Sequence, residues 1–174
     1  MAKQERPMRQ MDRDLLGAVV VINNDIICGT REDSAGPLAA DLLRKFRVYV
    51  SDTRLYHSRE TLEDVTAALE TAIAAGARVI VTVGGTGISM GDIAPEATAS
   101  LLEVRMDGIA QQIREHGLTV TPLASLSRGL VGITHRGPGG VLIVNAPGSR
   151  GGVKDSLAVV CPLFPHIFEQ LDDQ

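Results

Sequence analysis

A chain of 174 residues with 44% hydrophobic and 22% charged side chains has a globular composition and enough length to bury a core. The formal charge of −4 leaves no basic footprint for nucleic acid, and 3% aromatics offer no platform for stacking bases. No apolar run approaches the ~20 residues of a membrane helix, and Cys28 and Cys161 lack metal or disulfide spacing, so a soluble, reduced, cytoplasmic protein is expected.

Residues 1–14, "MAKQERPMRQMDRD", are charged and contain no apolar h-region, which predicts a solvated tail ahead of a single domain over 15–174. "LLGAVVVIN" is a valine-rich apolar run and predicts a strand buried on both faces. "NDIICGTRED" is read as a loop, in which Cys28 packs as a small apolar residue. The next helix has Ser34 as its cap, Pro37 near its first position, and Leu38, Leu42 and Leu43 at helical spacing. "RVYVS" predicts a second strand. "ETLEDVTAALETAIAAG" predicts a helix with Leu62, Val65, Leu69 and Ile73 on one face and Gly76 as its stop.

"ARVIVTV" is the third strand, and "APEATASLLEVRMDGIAQQIREHG" reads as two short helices, the second ended by Gly117. "RGLVGITHRGPGGVLIVNAPG" predicts two strands around a glycine turn at Gly137 to Gly140. The chain closes as helix, break at Pro162 and helix, with His166 packing or capping in the last of these. Strands alternating with helices predict a three-layer α/β fold with a mainly parallel central sheet. The loops over 23–33, 84–92 and 145–152 all leave the carboxyl ends of strands, where such sheets hold ligands. Alanine-rich helices leave apolar surface for a partner subunit.

The most informative stretch is "VIVTVGGTGISMGDIAPEAT". Gly84, Gly85 and Gly87 let backbone N–H groups face an anion, and the helix opening near Pro95 adds a favourable dipole. The loop lacks the Gly-Lys-Ser/Thr ending of a Walker A motif and is not a GxGxxG fingerprint, and a tight strand-to-helix turn is the alternative. An acid beside a phosphate loop calls for a cation between them. Asp92 is therefore a candidate Mg²⁺ ligand, or else the cap of the following helix. Ser149 in "NAPGSRGG" donates to a phosphate or caps its helix. Ser127 and Arg128 in "LSRG" could serve an anionic ligand or a surface ion pair. His57, His116, His135 and His166 have no ligand spacing.

Together "VTVGGTGISMGDIAPEAT", "LSRG", "LIVNAPGS", "PLFPHIFEQL" and "GTREDSAGPLAADLL" resemble the MogA/MoaB family of molybdenum cofactor biosynthesis, over roughly Gly17 to Leu171. A similar domain occurs in gephyrin-type, MoeA-type and CinA-type proteins. The resemblance implies the three-layer α/β domain, assembled as a trimer with some members hexameric. It also implies Mg²⁺-dependent transfer of AMP from ATP to molybdopterin, giving adenylylated molybdopterin and pyrophosphate. A metal-insertion enzyme of the pathway is the implied partner.

Carried to this chain, Gly84, Gly85, Thr86 and Gly87 match the phosphate loop, Asp92 the essential acid and metal ligand, and Glu96 the acid of the helix start. Ser127 and Arg128 match the pterin-side pair, and Pro147, Gly148 and Ser149 the loop at the pterin's phosphate end. Asp155 stands where the family has glutamate toward pterin N–H groups. Asp33, Ser34 and Gly36 match "D-x-S-G". The sequence departs from the pattern at Asn23-Asn24 (Ser-Asp in the family), Gly91 (arginine), Ala94 (threonine) and "GSRGG" (G-S-P-K). The second family acid, in "P-D-D", is absent, and Glu60 is the nearest substitute. A non-catalytic molybdopterin carrier and a CinA-like nucleotide pyrophosphatase are the alternative readings.

Overall fold

The computed structural model describes residues 11–173. The expected tail lies outside these residues as far as position 10. Its last part is packed: Met11 is buried, and its carbonyl accepts from Arg47 Nη1 at 2.6 Å.

Among the described residues, seven strands form one sheet. Strand β1 (Leu15–Ile22) pairs in parallel with β4 (Val79–Val83), and β4 with β7 (Leu142–Ala146). The far edge of β1 carries β2 (Val48–Tyr49) and then β3 (Leu55–Ser58), both parallel. Beyond β7, β6 (Val131–Ile133) runs antiparallel, and β5 (Val104–Arg105) antiparallel to that. A parallel centre with one reversed flank satisfies the expected topology.

The helices are α1 (Asn24–Ile27), α2 (Ala35–Arg44), α3 (Leu62–Ala74), α4 (Ala94–Ala99), α5 (Asp107–Leu118), α6 (Arg150–Val160) and α7 (Phe164–Asp172). Side chains alternate across a strand, so β1 feeds two cores. Val19 and Val21 belong to the core that also holds residues of α2, α5, α6 and α7, whereas Ala18, Val20 and Ile22 belong to the core that holds residues of α3 and α4. Residues 79 to 83 and 142 to 146 divide in the same way. Burial on both faces is what makes these strands read as continuous apolar runs.

Several sequence expectations change. Residues 24–27 form a short helix, because Asn23 Oδ1 accepts from Ile26 N at 3.0 Å and caps it. The second strand is only two residues long, and β3 follows it on the same edge of β1 after a 3₁₀ turn at Asp52–Arg54. Strand β5 separates the two helices expected over 94–117, and Gly117 lies inside α5 instead of ending it. The 3₁₀ turn at Pro122–Leu126 approaches there so closely that a Cβ on Gly117 would lie 2.8 Å from Ala124 Cβ. Leu62 is exposed, and Ala72 joins Val65 and Leu69 on the buried face of α3. Ser34 makes no side-chain cap; Asp33 Oδ1 accepts from Gly36 N at 2.8 Å in its place. Cys28 is exposed and Cys161 is buried, where desolvation pushes the thiol up to about 12. His166 neither packs nor caps; it is exposed beside Gln170.

Candidate functional site

The carboxyl ends of β1, β4 and β7 release the three loops singled out above, and they converge. Gly84 and Gly85 adopt φ of +98° and +68°, a region L side chains rarely enter. A Cβ on Gly84 would lie 2.6 Å from the Ile22 carbonyl oxygen, and one on Gly148 would lie 3.3 Å from Gly84 Cα. The glycines are therefore needed for backbone-to-backbone packing of adjacent loops as well as for an open anion site.

The loop from 84 to 92 folds around the Asp92 carboxylate. Asp92 Oδ2 accepts from Ser89 N at 2.8 Å, and a Cβ on Gly87 would lie 2.7 Å from the same oxygen. Asp92 does not cap α4: the cap position is Ile93, which has no side-chain bond. Arg128 clamps the loop from outside. Its backbone N–H donates to Thr86 O at 2.8 Å, Nε to Gly87 O at 2.6 Å and Nη2 to Asp92 O at 2.6 Å. Its Nη1 donates to Glu96 Oε1 at 2.5 Å. That bond holds the Glu96 carboxyl below the ordinary glutamate value and raises the guanidinium. Arg128 and Glu96, matched to the family's site, are engaged with each other, and Arg128 with the loop.

Beneath the loop lies a buried polar knot. Asn145 Nδ2 donates to Thr82 Oγ1 at 3.0 Å and to Thr98 Oγ1 at 2.8 Å, while Oδ1 accepts from Leu130 N at 3.0 Å. All three side chains are buried, so the bonds fix α4 against β4 and β7. Neither Asn145 nor Thr98 was singled out by the sequence as a site residue. A polar residue inside an otherwise apolar strand was the available signal.

Two cavities meet at this loop. The polar one, of about 720 Å³, is lined by Gly84 to Gly87, Asp92, Glu60, Gly148, Ser149 and, from the first loop, Asn23, Ile26, Glu32 and Asp33. It also gathers Arg31 and Arg150, cations the motif reading passed over; Arg150 Nη1 donates to the Ser34 carbonyl at 2.7 Å. The mainly apolar one, of about 530 Å³, is lined by Ile113, Val120, Leu123, Leu126, Ser127 and Pro147, with Asp155 in its wall. Thr86, Gly87 and Ser149 line both.

Ser149 caps α6 by accepting from Gly152 N at 3.0 Å, which leaves its O–H free to donate, and the residue borders the site. Ser127 Oγ accepts from Gly129 N at 3.3 Å. Asp155 faces the apolar cavity with Oδ1 on His116 Nδ1 at 3.0 Å. Asp33, matched to the family's first loop, is engaged by Gly36 N and by His57 Nε2 at 2.9 Å.

The family described as "Probable molybdopterin binding domain" matches residues 18–166, nearly the whole α/β unit just described. The chain belongs to this family. It is 30% identical over 174 residues to the molybdenum cofactor biosynthesis protein B of Staphylococcus carnosus, covering 98% of this chain and 99% of that one. Over 88 residues, 51% of this chain and 48% of the other, it is 35% identical to the molybdopterin adenylyltransferase of Helicobacter pylori. A molybdopterin biosynthesis protein from Mycobacterium abscessus superposes with a TM-score of 0.81 at 38% identity, covering 90% of this chain and 96% of that one. The chain spans about half the length of the bifunctional relatives it matches (47% and 46%). The likeness to MogA/MoaB proteins and the three-layer α/β fold therefore stand on both sequence and structure. No helix among the described residues is long and apolar enough to cross a membrane.

Proposed function

We propose that the protein acts in molybdenum cofactor biosynthesis as a Mg²⁺-dependent adenylyltransferase, moving AMP from ATP to molybdopterin. The observation that carries this is the pair of unlike cavities joined at Thr86, Gly87 and Ser149. A polar, backbone-lined cavity suits a triphosphate, an apolar one with a carboxylate in its wall suits a ring bearing N–H donors, and the ridge between them is where two phosphates could meet.

In this reading, N–H groups of Gly84 to Gly87 receive the nucleotide phosphates, with Arg31 and Arg150 adding positive charge. Asp155 and Ser127 orient the pterin, and Pro147, Gly148 and Ser149 border its phosphate. The pterin's phosphate oxygen attacks the α-phosphorus of ATP; the bond to the β-phosphate oxygen breaks, and pyrophosphate leaves with the electron pair. Positioning and charge stabilisation suffice for such a transfer.

Of the carboxylates that line the polar cavity, Asp92 and Glu60 are the two this reading gives to a metal. Among the described residues no group of three His, Cys, Asp or Glu side chains could hold one. Two carboxylates with substrate phosphates completing the shell is a donor set that fits Mg²⁺ and does not fit a dedicated protein cage. When bound, Mg²⁺ would neutralise charge on the phosphates.

Incubation with Mg·ATP and molybdopterin is expected to yield adenylylated pterin and pyrophosphate, and Asp92→Ala to slow the formation of both by about 10² to 10³. Pterin binding without product would replace this reading with that of a carrier. Exposed Val120, Leu123 and Leu126 agree with a homotrimer or hexamer, and a monomer in light scattering at micromolar concentration would refute that assembly.

A further inference from the structure

Asn24 and Glu60 stand 36 residues apart in sequence and meet at the rim of the polar cavity. Asn24 Oδ1 accepts from Glu60 N at 3.0 Å. The backbone N–H of Asn24 donates to Glu60 Oε1 at 3.1 Å, and its side-chain amide to Oε2 at 3.4 Å. One residue thus engages both carboxylate oxygens and the main chain of the other. From the opposite side the loop after β4 closes in. A Cβ on Gly91 would lie 2.6 Å from Glu60 Oε2 and 3.2 Å from Glu60 Cβ. Gly91 is not among the glycines with positive φ, so a side chain there would violate volume and not backbone conformation. Glu60 occupies a slot that exists because position 91, next to Asp92, carries no side chain.

We propose that Asn24 is a positioning residue for the Glu60 carboxylate, and that Asn24, Glu60 and Gly91 form one unit presenting a second carboxylate to the nucleotide cavity beside Asp92. This rests on the metal-nucleotide reading above. Asn24→Asp keeps the acceptor for Glu60 N but sets a second anion against the carboxylate, which repels it. Gly91→Ala displaces the carboxylate from the other side while leaving Asn24 intact. Groups acting as a unit give losses that do not compound, whereas independent surface contacts give losses that multiply.

Two measurements on the full chain test this. Amide hydrogen exchange at Glu60, without ligand, reports the latch whatever the cavity binds: Asn24→Ala removes the acceptor and is expected to accelerate it about tenfold or more. Mn²⁺ binding in the presence of ATP, followed by electron paramagnetic resonance, reports presentation of the carboxylate. Glu60→Gln, Asn24→Asp and Gly91→Ala are each expected to weaken it about tenfold, in the range seen when a group supporting a metal site is removed. Asn24→Asp/Glu60→Gln and Gly91→Ala/Glu60→Gln are expected to be no weaker than Glu60→Gln alone. Losses that multiply, or unchanged Glu60 exchange in Asn24→Ala, overturn the proposal. If exchange accelerates but these variants and Asp92→Asn all bind Mn²⁺ and ATP like the parent, the metal-nucleotide reading itself fails and the role given to Glu60 falls with it.

Discussion

The cavity over the 84–92 loop is walled by backbone and by charged groups, several of them tied to protein partners. The cavity beside it is walled largely by aliphatic side chains from α5, Val120 and the turn at Pro122–Leu126, with Asp155 of α6 in its wall. On the polar side, Asp92 is held by Ser89 N, Glu60 by Asn24 and Arg150 by the Ser34 carbonyl. On the apolar side, Val120 and Leu123 are 76% and 69% exposed, and burial by a ligand or partner has most to add there. Charges held in place before binding favour geometry and electrostatic work, whereas exposed apolar surface favours affinity through desolvation. The two substrates of the proposed reaction differ in the same sense.

The division is broken most severely at Asp92. Asp92→Ala is expected to lower kcat by about 10² to 10³, the effect of losing several kcal/mol of charge stabilisation, while molybdopterin binding changes less than about twofold. Equal loss of pterin binding, measured by fluorescence titration, would show that the cavities are not separable. Gly84→Ala disturbs two neighbours at once, because Gly84 lies against Ile22 at the end of β1 and against Gly148 in the loop whose Pro147 and Ser149 line the apolar cavity. With φ at +98°, a cost of about 3 kcal/mol in denaturant unfolding is expected, with weaker binding of both substrates.

Asp155→Asn sharpens the contrast from the apolar side. The KM for molybdopterin is expected to rise about tenfold while that for ATP stays within twofold, in contrast to Gly84→Ala, which weakens both. A change confined to ATP would place Asp155 on the wrong substrate.

The smallest effect belongs to the Arg128–Glu96 clamp, whose carboxylate is about half exposed and screened by water. Arg128 holds the Glu96 carboxyl below the ordinary value of 4.5. A lowered folded-state value contributes stability that is complete above the unfolded value and is lost as pH falls through the folded one. Glu96→Gln is therefore expected to lower Tm by less than about 2 °C at neutral pH, and the difference from the parent is expected to vanish in acid below that range. A difference that grows in acid would mean that Glu96 is not paired in solution.

The polar cavity was legible because its parts are contiguous: "GGTGISMGD" places glycines and acid within nine residues, and the chemistry of a phosphate loop is local. The apolar cavity was legible only in its polar members, Ser127, Ser149 and Asp155, and its aliphatic wall left no motif. Its walls come from residues 86 to 155, and Val120, Leu123 and Leu126 look like ordinary aliphatic residues until the turn at Pro122–Leu126 folds against α5. Arg128 and Glu96 were legible as motif members but not as partners, since a bond across 32 residues depends on where α4 lands.

By itself the sequence determined the strand–helix alternation, the two-faced burial of β1, β4 and β7, the phosphate-type loop with its acid, and the family. These follow from local propensity, hydrophobic period and short-range spacing. Tertiary structure decided which acids the loop would meet, that Arg128 would hold the loop, that Glu60 would sit in the slot left by Gly91, and that a second cavity would open beside the first. Each of these is a contact between chain segments far apart in sequence, and only the packing of the sheet brings such segments within hydrogen-bonding distance.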